Sequence, residues 1–522
     1  MASLVNTTFD AVEAQLGNYL QTTPHKPVAY VVTALLLVFV AYFMQGSGRT
    51  KLPCYNPKKP FELGTWRVRI EFMEKGIEMM VAARKKYGLQ PYRMHTDIGE
   101  VIMLPGERVQ ELRNHPALEF MDAANDDAHG YLPGFEPFHI DERTVRVVNN
   151  YLTKALNKLT VPLSNEAATA LRYLLTDSPE WHEVSALSTI ARTVSRMSTR
   201  IFIGEEMCSN DEWVNSVAEY SRSAFACIPE LQMWPAFTRR IVHWFLPSAK
   251  LVRKNLEPCR KILQPVVAQR KKLKAEALAR GEPAPVYDDA LGWFEKEYGN
   301  NYDPAYSQIT LSTVAIDTTS DLLQSTMLQL ARHPEYIQPI RDEIVEVLGK
   351  QGLKKIALYN LKFMDSCLKE TQRLKPILFG MRRGVVADAK LSDGFVIRKG
   401  ERVILDSTNM WNAKYYDNPE KFDPYRFMRW REEGNENIAH LVSTSDKHMG
   451  FGHGQHACPG RFFAANELKL ALCHLVLKYE WKLPEGHNPQ HLCLGSSMAA
   501  NPSLRLLIRR RKEELDMASL SD

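Results

Sequence analysis

A cysteine in a glycine-rich loop is the residue of this chain best placed to bind a metal. Residues 451–460 read FGHGQHACPG, with the cysteine at position 458. The three glycines allow backbone conformations that other residues avoid, and they let the loop approach a flat partner closely. A helical pattern begins at Arg461, so amide groups at a helix N-terminus favour a thiolate over a thiol at Cys458. A thiolate held in this way is suited to metal ligation.

These residues, taken alone, are compatible with three kinds of loop. A haem site suits a thiolate ligand and a glycine-rich backbone. A zinc site is an alternative, because His448, His453 and His456 lie close to Cys458. Zinc is disfavoured because no second cysteine or paired histidine lies at a familiar ligand spacing, and the glycines would then have no role. A loop without any ligand is the third possibility, and the loop alone leaves all three open.

Two polar side chains interrupt a long apolar helix upstream. Residues 304–332 have an apolar helical period, and the pattern ends at His333-Pro334 because proline disfavours helix in the residue before it. Asp317 and Thr318 stand in the middle of this run. A satisfied polar pair in the core is one interpretation. The other is a proton relay, because a hydroxyl and a carboxylate can pass protons into a dry pocket.

A third group of charged residues lies between that helix and the cysteine. Glu370 and Arg373 are three residues apart, so they share one face of a helix. A lone pair of this kind is usually a surface ion pair worth under about 1 kcal/mol. If Arg426 joins them, bidentate geometry would pin the helix to the loop that leads to the cysteine.

Together these motifs resemble the cytochrome P450 family, in order and in spacing. The residues that match its F-x-x-G-x-x-x-C-x-G haem-binding signature are Phe451, Gly454, Cys458 and Gly460. Residues 370–373 match its E-x-x-R motif, residues 422–427 resemble its F-x-P-x-R-F segment, and residues 315–319 resemble its oxygen-activation motif. The ordered set of four makes coincidence with a zinc protein very unlikely.

The resemblance implies a fold, a cofactor and an activity. The expected fold is mainly α with a small β portion. The expected cofactor is haem b with the thiolate of Cys458 as axial ligand, and the expected activity is insertion of one oxygen atom from dioxygen. Asp317 and Thr318 would supply protons, whereas Glu370, Arg373 and Arg426 would have a structural role. A family-fold enzyme that isomerises or dehydrates without dioxygen is the second hypothesis, and Thr318 argues against it.

The resemblance also indicates residues near the haem propionates. His456 stands two residues before the cysteine, where the family often has arginine. Arg383 is similar to the propionate-binding arginine that follows the E-x-x-R helix. The family's W-x-x-x-R motif is missing from residues 144–153, and Asn149 falls about where its arginine would be. Propionate contacts from that helix are therefore in doubt.

The N-terminal region predicts a membrane anchor. Residues 28–44 contain no charge and are near the minimum length for crossing a bilayer. Basic residues follow this run and acidic ones precede it, so the positive-inside tendency places the remainder in the cytosol. We expect a lumenal segment at 1–27 with a sequon at Asn6, an anchor at 28–44, a linker at 45–53 and a catalytic domain at 54–522. The resemblance implies an endoplasmic-reticulum membrane protein, and a cleaved signal peptide fits less well.

A segment rich in large apolar residues, 225–246, predicts how the substrate enters. Core packing explains most such runs. In the family, however, this region often roofs the substrate channel and dips into the membrane, and Arg239 and Arg240 suit an interface. Residues 453–464 and 381–385 resemble fungal family members that oxidise terpenoids, of the ent-kaurene-oxidase and indole-diterpene types. The implied substrate is a lipophilic terpenoid-derived molecule.

The remaining elements and the composition agree with a globular helical enzyme. Further helical patterns cover about 334–348, 361–374 and the residues after Arg461, whereas 394–405 reads as two β-rich runs around Lys399-Gly400, a hairpin candidate. The net charge of +5 over 522 residues does not indicate a nucleic-acid partner. Eight scattered cysteines do not form a disulfide pattern. No flavin or dinucleotide motif is visible, so electrons should come from a separate NADPH-cytochrome P450 reductase.

Overall fold

The long helix around Asp317 has the bounds that the sequence predicts. It runs from Pro304 to Arg332, and the side chain of Asp303 accepts hydrogen bonds from backbone N–H groups of its first turn. Proline at the first helical position costs nothing, because its missing N–H would have no partner there. The next proline, Pro334, ends the helix.

The computed structural model describes Thr33 and residues 50–62, 64–299 and 301–520. Its helices are, in chain order, α1 (Trp66–Tyr87), α2 (Val109–Leu112), α3 (Met121–Asp127), α4 (Glu142–Val147), α5 (Thr153–Leu175), α6 (Ala186–Phe202), α7 (Glu205–Cys208), α8 (Asp211–Gln232), α9 (Ala236–Val242), α10 (Pro247–Ala279), α11 (Ala290–Tyr298), α12 (Pro304–Arg332), α13 (Ile337–Gln351), α14 (Lys355–Asn360), α15 (Lys362–Leu374), α16 (Arg426–Glu432), α17 (Glu436–Ala439) and α18 (Arg461–Lys478). The predicted helical architecture with a small β portion is confirmed.

Short strands form small sheets beside the helices. In chain order they are β1 (Tyr92–Thr96), β2 (Gly99–Leu104), β3 (Leu118–Glu119), β4 (His182–Ser185), β5 (Gly380–Val385), β6 (Ala389–Lys390), β7 (Val396–Ile397), β8 (Arg402–Asp406), β9 (Tyr479–Lys482), β10 (Leu492–Leu494), β11 (Ser497–Ala499) and β12 (Arg505–Arg510). The largest sheet has the order β1-β2-β8-β5-β3. It carries the arginines of β5 next to the cysteine loop.

The hairpin predicted around Lys399 and Gly400 is wrong in its pairing. Both β-rich runs do form strands, β7 and β8, and Gly400 turns between them with φ of +84°. However, β7 pairs with β6, whereas β8 lies between β2 and β5 in another sheet. Local alternation predicts that strands exist, but not their partners: β8 is drawn away from β7 by packing against β2, which is distant in sequence.

Helix α12 is at the centre of the main hydrophobic core. It packs against α6, α8, α10, α11, α15 and α18. Its contacts with α15 and α18 connect the predicted proton-relay residues to the Glu–Arg pair and to the helix that begins after the cysteine loop. Three of the predicted motifs are therefore held by elements that touch one central helix.

The predicted anchor at 28–44 lies, apart from Thr33, outside the described residues. Within Thr33, 50–62, 64–299 and 301–520, no helix combines the length and apolar character needed to cross a bilayer. Asn6 also lies outside the described residues.

Candidate active site

The cysteine loop closes on itself through backbone hydrogen bonds. The N–H of Cys458 donates to the carbonyl of Phe451 at 2.8 Å, and the N–H of Ala457 donates to Gly454 at 3.0 Å. Gly452 and Gly454 have φ of +70° and +85°, values that only glycine adopts easily. Helix α18 begins three residues after the cysteine, as the sequence predicts.

Groups at the start of α18 favour the anionic form of the sulfur. The backbone amides of Gly460 and Arg461 and the charge of Arg461 lower the pKa of Cys458. Burial acts in the opposite direction and is larger, so the pKa of the free thiol is raised. A buried sulfur held by amide donors suits a metal, because coordination supplies positive charge that offsets the cost of burying the thiolate.

Two glycines let the loop dock on its supports. A Cβ at Gly454 would lie 2.6 Å from Oδ1 of Asn114, and a Cβ at Gly450 would lie 2.3 Å from Oε1 of Gln372 on α15. The same Asn114 oxygen accepts the N–H of Gln455 at 2.7 Å. The loop backbone at these two glycines therefore lies so close to the side chains of Asn114 and Gln372 that a residue with a Cβ would not fit there. Gly450 lies outside the predicted signature.

A zinc centre at this loop finds no support in the geometry. Across the described part of the chain, no three histidine, cysteine, aspartate or glutamate residues form a group that could hold a metal. His453 is engaged elsewhere: its Nε2 lies 2.9 Å from the guanidinium of Arg113, and its Nδ1 lies 2.9 Å from the hydroxyl of Thr444. His448 is fully buried against the backbone of Lys369.

The charged residues of α15 form a buried cluster with α16. Arg373 donates two parallel hydrogen bonds to the carboxylate of Glu370, both at 2.8 Å. Arg426 donates to the same carboxylate at 3.1 and 3.2 Å. Arg373 also donates to the carbonyl of Met410 at 2.7 Å. All three charged side chains are buried, so the cluster fastens α15 to the segment between β8 and the cysteine loop.

One accessible face interrupts the buried surface of α12. Val314, Asp317 and Thr318 are exposed at helical spacing, although Thr313 and Thr319 on either side are buried. The side chain of Asp317 is exposed, yet enough protein surrounds it that burial raises its pKa to about 6. We conclude that this face borders an interior space rather than bulk solvent.

The hydroxyl of Thr318 is held by its own helix. It donates to the carbonyl of Val314 at 2.7 Å, a bond that serine and threonine often make four residues back. The lone pairs of the oxygen remain available on the accessible side. With the carboxyl of Asp317 next to it, this face offers one acceptor and one group that exchanges protons near neutral pH.

His456 and Arg383 come together as the sequence predicts. The ring of Phe120 lies 5.8 Å from the ring of His456 and 5.4 Å from the guanidinium of Arg383. Burial lowers the pKa of Arg383 to about 10, and burial together with the charge of Arg383 lowers the pKa of His456. Among the residues that the structure describes, Glu119 is the only acid whose charge acts on both.

The neighbouring Arg382 shows why Arg383 is the available cation. Arg382 is paired with Asp97 at 2.7 Å and donates to Ser496 at 2.7 Å. Arg383 is buried and donates to a backbone carbonyl, and within the described ranges it forms no ion pair. A buried guanidinium without a counter-ion is costly. Carboxylates such as the propionates of haem would satisfy it, so the residues present fit that cofactor.

Arg383→Gln is expected to weaken haem retention by about tenfold, because a charge-assisted hydrogen bond to a propionate is worth about 1.5–3 kcal/mol. Transfer of haem to apomyoglobin would measure the dissociation rate. Glu119→Gln is the control, since it removes the opposing charge and should slow haem loss or leave it unchanged. Equal haem loss from wild type and Arg383→Gln would remove Arg383 from the site.

The region that lacks the W-x-x-x-R motif has an unusual backbone. Residues 148–152 form a π-helical turn in which Asn149 and Asn150 are exposed. Arg146, one turn earlier, donates to Glu297 on α11 at 2.7 Å. None of these three residues is therefore assigned to the site.

One buried acid on α18 was not predicted from the sequence. Glu467 has no accessible surface, and its carboxyl accepts from the hydroxyl of Ser198 at 2.7 Å. Its other oxygen has no hydrogen-bond partner among the described residues. Burial raises its pKa to about 8, so the group keeps its proton at neutral pH. No local sequence signal marks it, because its burial is decided by the helices packed around α18.

Comparison with known proteins identifies the family. The family described as Cytochrome P450 matches residues 80–508. Cytochrome P450 monooxygenase eqxH of Fusarium heterosporum is 48% identical over 501 residues, which cover 94% of this chain and 97% of that protein. Cytochrome P450 monooxygenase hepE of Aspergillus oryzae is 42% identical over 492 residues, covering 92% of this chain and 90% of that one.

Solved structures show the same fold. The haem domain of cytochrome P450DA superposes with a TM-score of 0.67 at 16% identity, covering 89% of this chain and 98% of that chain. Family match, relatives and fold agree with the motifs that meet around α12. This chain therefore belongs to the cytochrome P450 family, as a haem-thiolate monooxygenase.

Proposed function

We propose that the thiolate of Cys458 would hold the iron of haem b in this enzyme and that Asp317 and Thr318 would deliver the protons that its chemistry consumes. The observation that carries the ligand assignment is the closed loop in which two amides at the start of α18 favour the thiolate of Cys458. His456 and Arg383 would bind the propionates. Phe451, Gly454 and Gly460 would shape the cysteine loop. The buried cluster would hold the chain segment that leads to this loop; its members are Glu370, Arg373 and Arg426.

When bound, haem supplies activation of dioxygen with electrons from a separate NADPH-dependent reductase. For each C–H bond hydroxylated, one oxygen atom enters the product and the other leaves as water, so two protons must reach the site. Asp317 can take a proton from solvent because its pKa is about 6, and it can release it beside Thr318. The hydroxyl of Thr318 is oriented by Val314 and accepts hydrogen bonds from the accessible side.

Thr318→Ala is expected to keep NADPH consumption while lowering product per NADPH by at least about tenfold. The reason is that the hydroxyl that positions the delivered protons is missing. The lost reducing equivalents should appear as hydrogen peroxide. Thr318→Ser retains the hydroxyl and should stay within about threefold of wild type. Asp317→Asn should slow turnover by about a hundredfold. Unchanged coupling in Thr318→Ala would contradict the relay.

We propose that the substrate is a lipophilic, terpenoid-derived molecule. The resemblance of residues 453–464 and 381–385 to fungal terpenoid oxidases supports this, and the relatives from Fusarium and Aspergillus are likewise fungal monooxygenases. The test is expression of the full chain with its reductase and a panel of terpenoid scaffolds, read by mass spectrometry. Product formation should require NADPH and dioxygen, and heavy dioxygen should add one labelled atom. Turnover without dioxygen would favour an isomerase or dehydratase.

We also propose that residues 54–522 form a cytosolic catalytic domain, carried on the endoplasmic-reticulum membrane by the anchor at 28–44, with 45–53 as linker and 1–27 as the lumenal segment. Large apolar side chains that are exposed near the start of the domain and around α9 support contact with lipid: Phe61, Trp66, Trp234, Phe237, Ile241, Trp244 and Phe245. Arg69 on α1 donates to the carbonyl of Gln232 at the end of α8, which joins the two groups into one surface.

One residue expected at this interface is not available to it. Arg239 is buried and folds back on the carbonyls of Trp234 and Gln232 at 3.0 and 3.3 Å. It therefore caps the turn before α9 instead of meeting lipid headgroups. Arg240 is exposed and suits that role.

The lipid contact can be tested by fluorescence. In vesicles of brominated phosphatidylcholine, Trp244→Phe and Trp234→Phe in the full chain should each remove part of the tryptophan quenching, because both rings would lie within the acyl region. Trp181→Phe should remove none, since its ring lies against Lys482 and Arg509. Equal quenching in all variants would place this surface away from the bilayer.

A further inference from the structure

Arg222 on α8 is an exposed cation that the proposed reaction does not use. The residue before it, Ser221, contacts α12: its hydroxyl lies 3.0 Å from that of Thr313, and both residues are buried. Thr313 precedes Asp317 by about one helical turn. Arg222 therefore lies at the edge of the contact between α8 and α12, next to the accessible face of α12.

The charge of Arg222 reaches that face. It lowers the pKa of Asp317 against the larger effect of burial. Nevertheless, neither an ion pair nor a hydrogen bond joins Arg222 to Asp317 or to any other residue of the part of the chain that the structure describes. A guanidinium that borders this face without a hydrogen-bonded partner is available to an anionic oxygen.

Two accessible apolar side chains belong to the same part of α8 and α12. Phe225 follows Arg222 by three residues, is 49% exposed and meets the ring of Phe138 at 5.7 Å. Val314 on α12 is 43% exposed. Apolar surface of this kind binds the body of a lipophilic molecule, whereas a single charge fixes its orientation.

We propose that Arg222 is a specificity-determining residue that binds a carboxylate or enolate oxygen of an otherwise lipophilic substrate. The ion pair would hold the substrate across the face formed by Val314, Asp317 and Thr318. This inference rests on the proposed haem-thiolate site, because that site makes the face the place of reaction. It adds the substrate class: a hydrophobic acid rather than a neutral hydrocarbon.

The consequence is a preference for acids over alcohols of the same skeleton. The probes are dodecanoate with 1-dodecanol and abietate with abietinol, at neutral pH, where the acids are ionised. Binding to the haem-loaded full chain is measured by equilibrium dialysis, which requires no turnover. Wild type should bind each acid at least about tenfold more tightly than its alcohol, the usual effect of one charge-assisted contact.

Arg222→Gln should weaken acid binding at least about tenfold and leave alcohol binding within about twofold. Arg222→Lys should recover part of the preference, since the charge returns without the planar fork. Lys250→Gln, at an exposed position on α10, is the matched control and should change neither class. A purely structural role for Arg222 would weaken both classes equally, and that outcome overturns the proposal.

Two further results would also overturn it. One is a wild-type protein that binds no acid more tightly than the paired alcohol. The other is an Arg222→Gln variant that keeps the full preference. The reduced carbon-monoxide spectrum of each variant is recorded first. If Arg222→Gln loses the acid preference but keeps the thiolate spectrum, the loss is due to Arg222 and not to a damaged haem site. A missing thiolate spectrum in wild type refutes the proposed function itself.

Discussion

Cys458→Ala is expected to abolish monooxygenation completely while leaving the protein folded. The proposed chemistry depends on electron donation from the thiolate, and alanine has no donor atom to supply it. The loop itself is closed by backbone bonds between Cys458 and Phe451 and between Ala457 and Gly454, which alanine preserves. Haem content and product formation with NADPH and reductase are the measurements.

The matched control for this change is Cys493→Ala. Cys493 is exposed on β10, and its loss should leave turnover within about twofold, as for most surface substitutions. Both variants should show the same far-ultraviolet circular dichroism as wild type. Normal turnover by Cys458→Ala would refute the ligand assignment outright.

Glu370→Ala is expected to lower the free energy of unfolding by about 3–5 kcal/mol, because it leaves Arg373 and Arg426 buried without their shared carboxylate. Since many domains have only about 5–15 kcal/mol in total, the variant should lose haem and aggregate when expressed. Urea unfolding of the purified protein, followed by circular dichroism, is the measurement.

Glu346→Ala provides the comparison for an ordinary ion pair. Glu346 is exposed and pairs with Lys350 at 2.8 Å on α13, so its removal should cost under about 1 kcal/mol. A cost for Glu370→Ala no larger than this would mean that the buried cluster does not hold the approach to the cysteine loop.

The sequence predicts elements well where the signals are local. Helix α12 has its predicted bounds because a capping Asp303, a first-turn proline and Pro334 all act within a few residues of its ends. Helix α18 begins at Arg461 as predicted, immediately after the glycine-rich loop. Motif order was also informative, because it predicted that distant charged residues would share one structural role.

Prediction fails where distant residues decide the outcome. β7 and β8 are strands, but they pair in different sheets: β7 pairs with the neighbouring β6, whereas β8 pairs with β2, about 300 residues earlier, and with β5. Arg239 reads as an interfacial cation, yet it caps a turn. Glu467 carries no local signal, because its high pKa arises from complete burial among several helices.

The most direct test of the account is the absorption spectrum of the reduced, carbon-monoxide-bound full chain after expression with supplied haem. We expect the thiolate-type Soret band in wild type and its loss in Cys458→Ala. A well-folded, haem-supplied wild-type protein that lacks this band would contradict the assignment of Cys458 as the haem ligand.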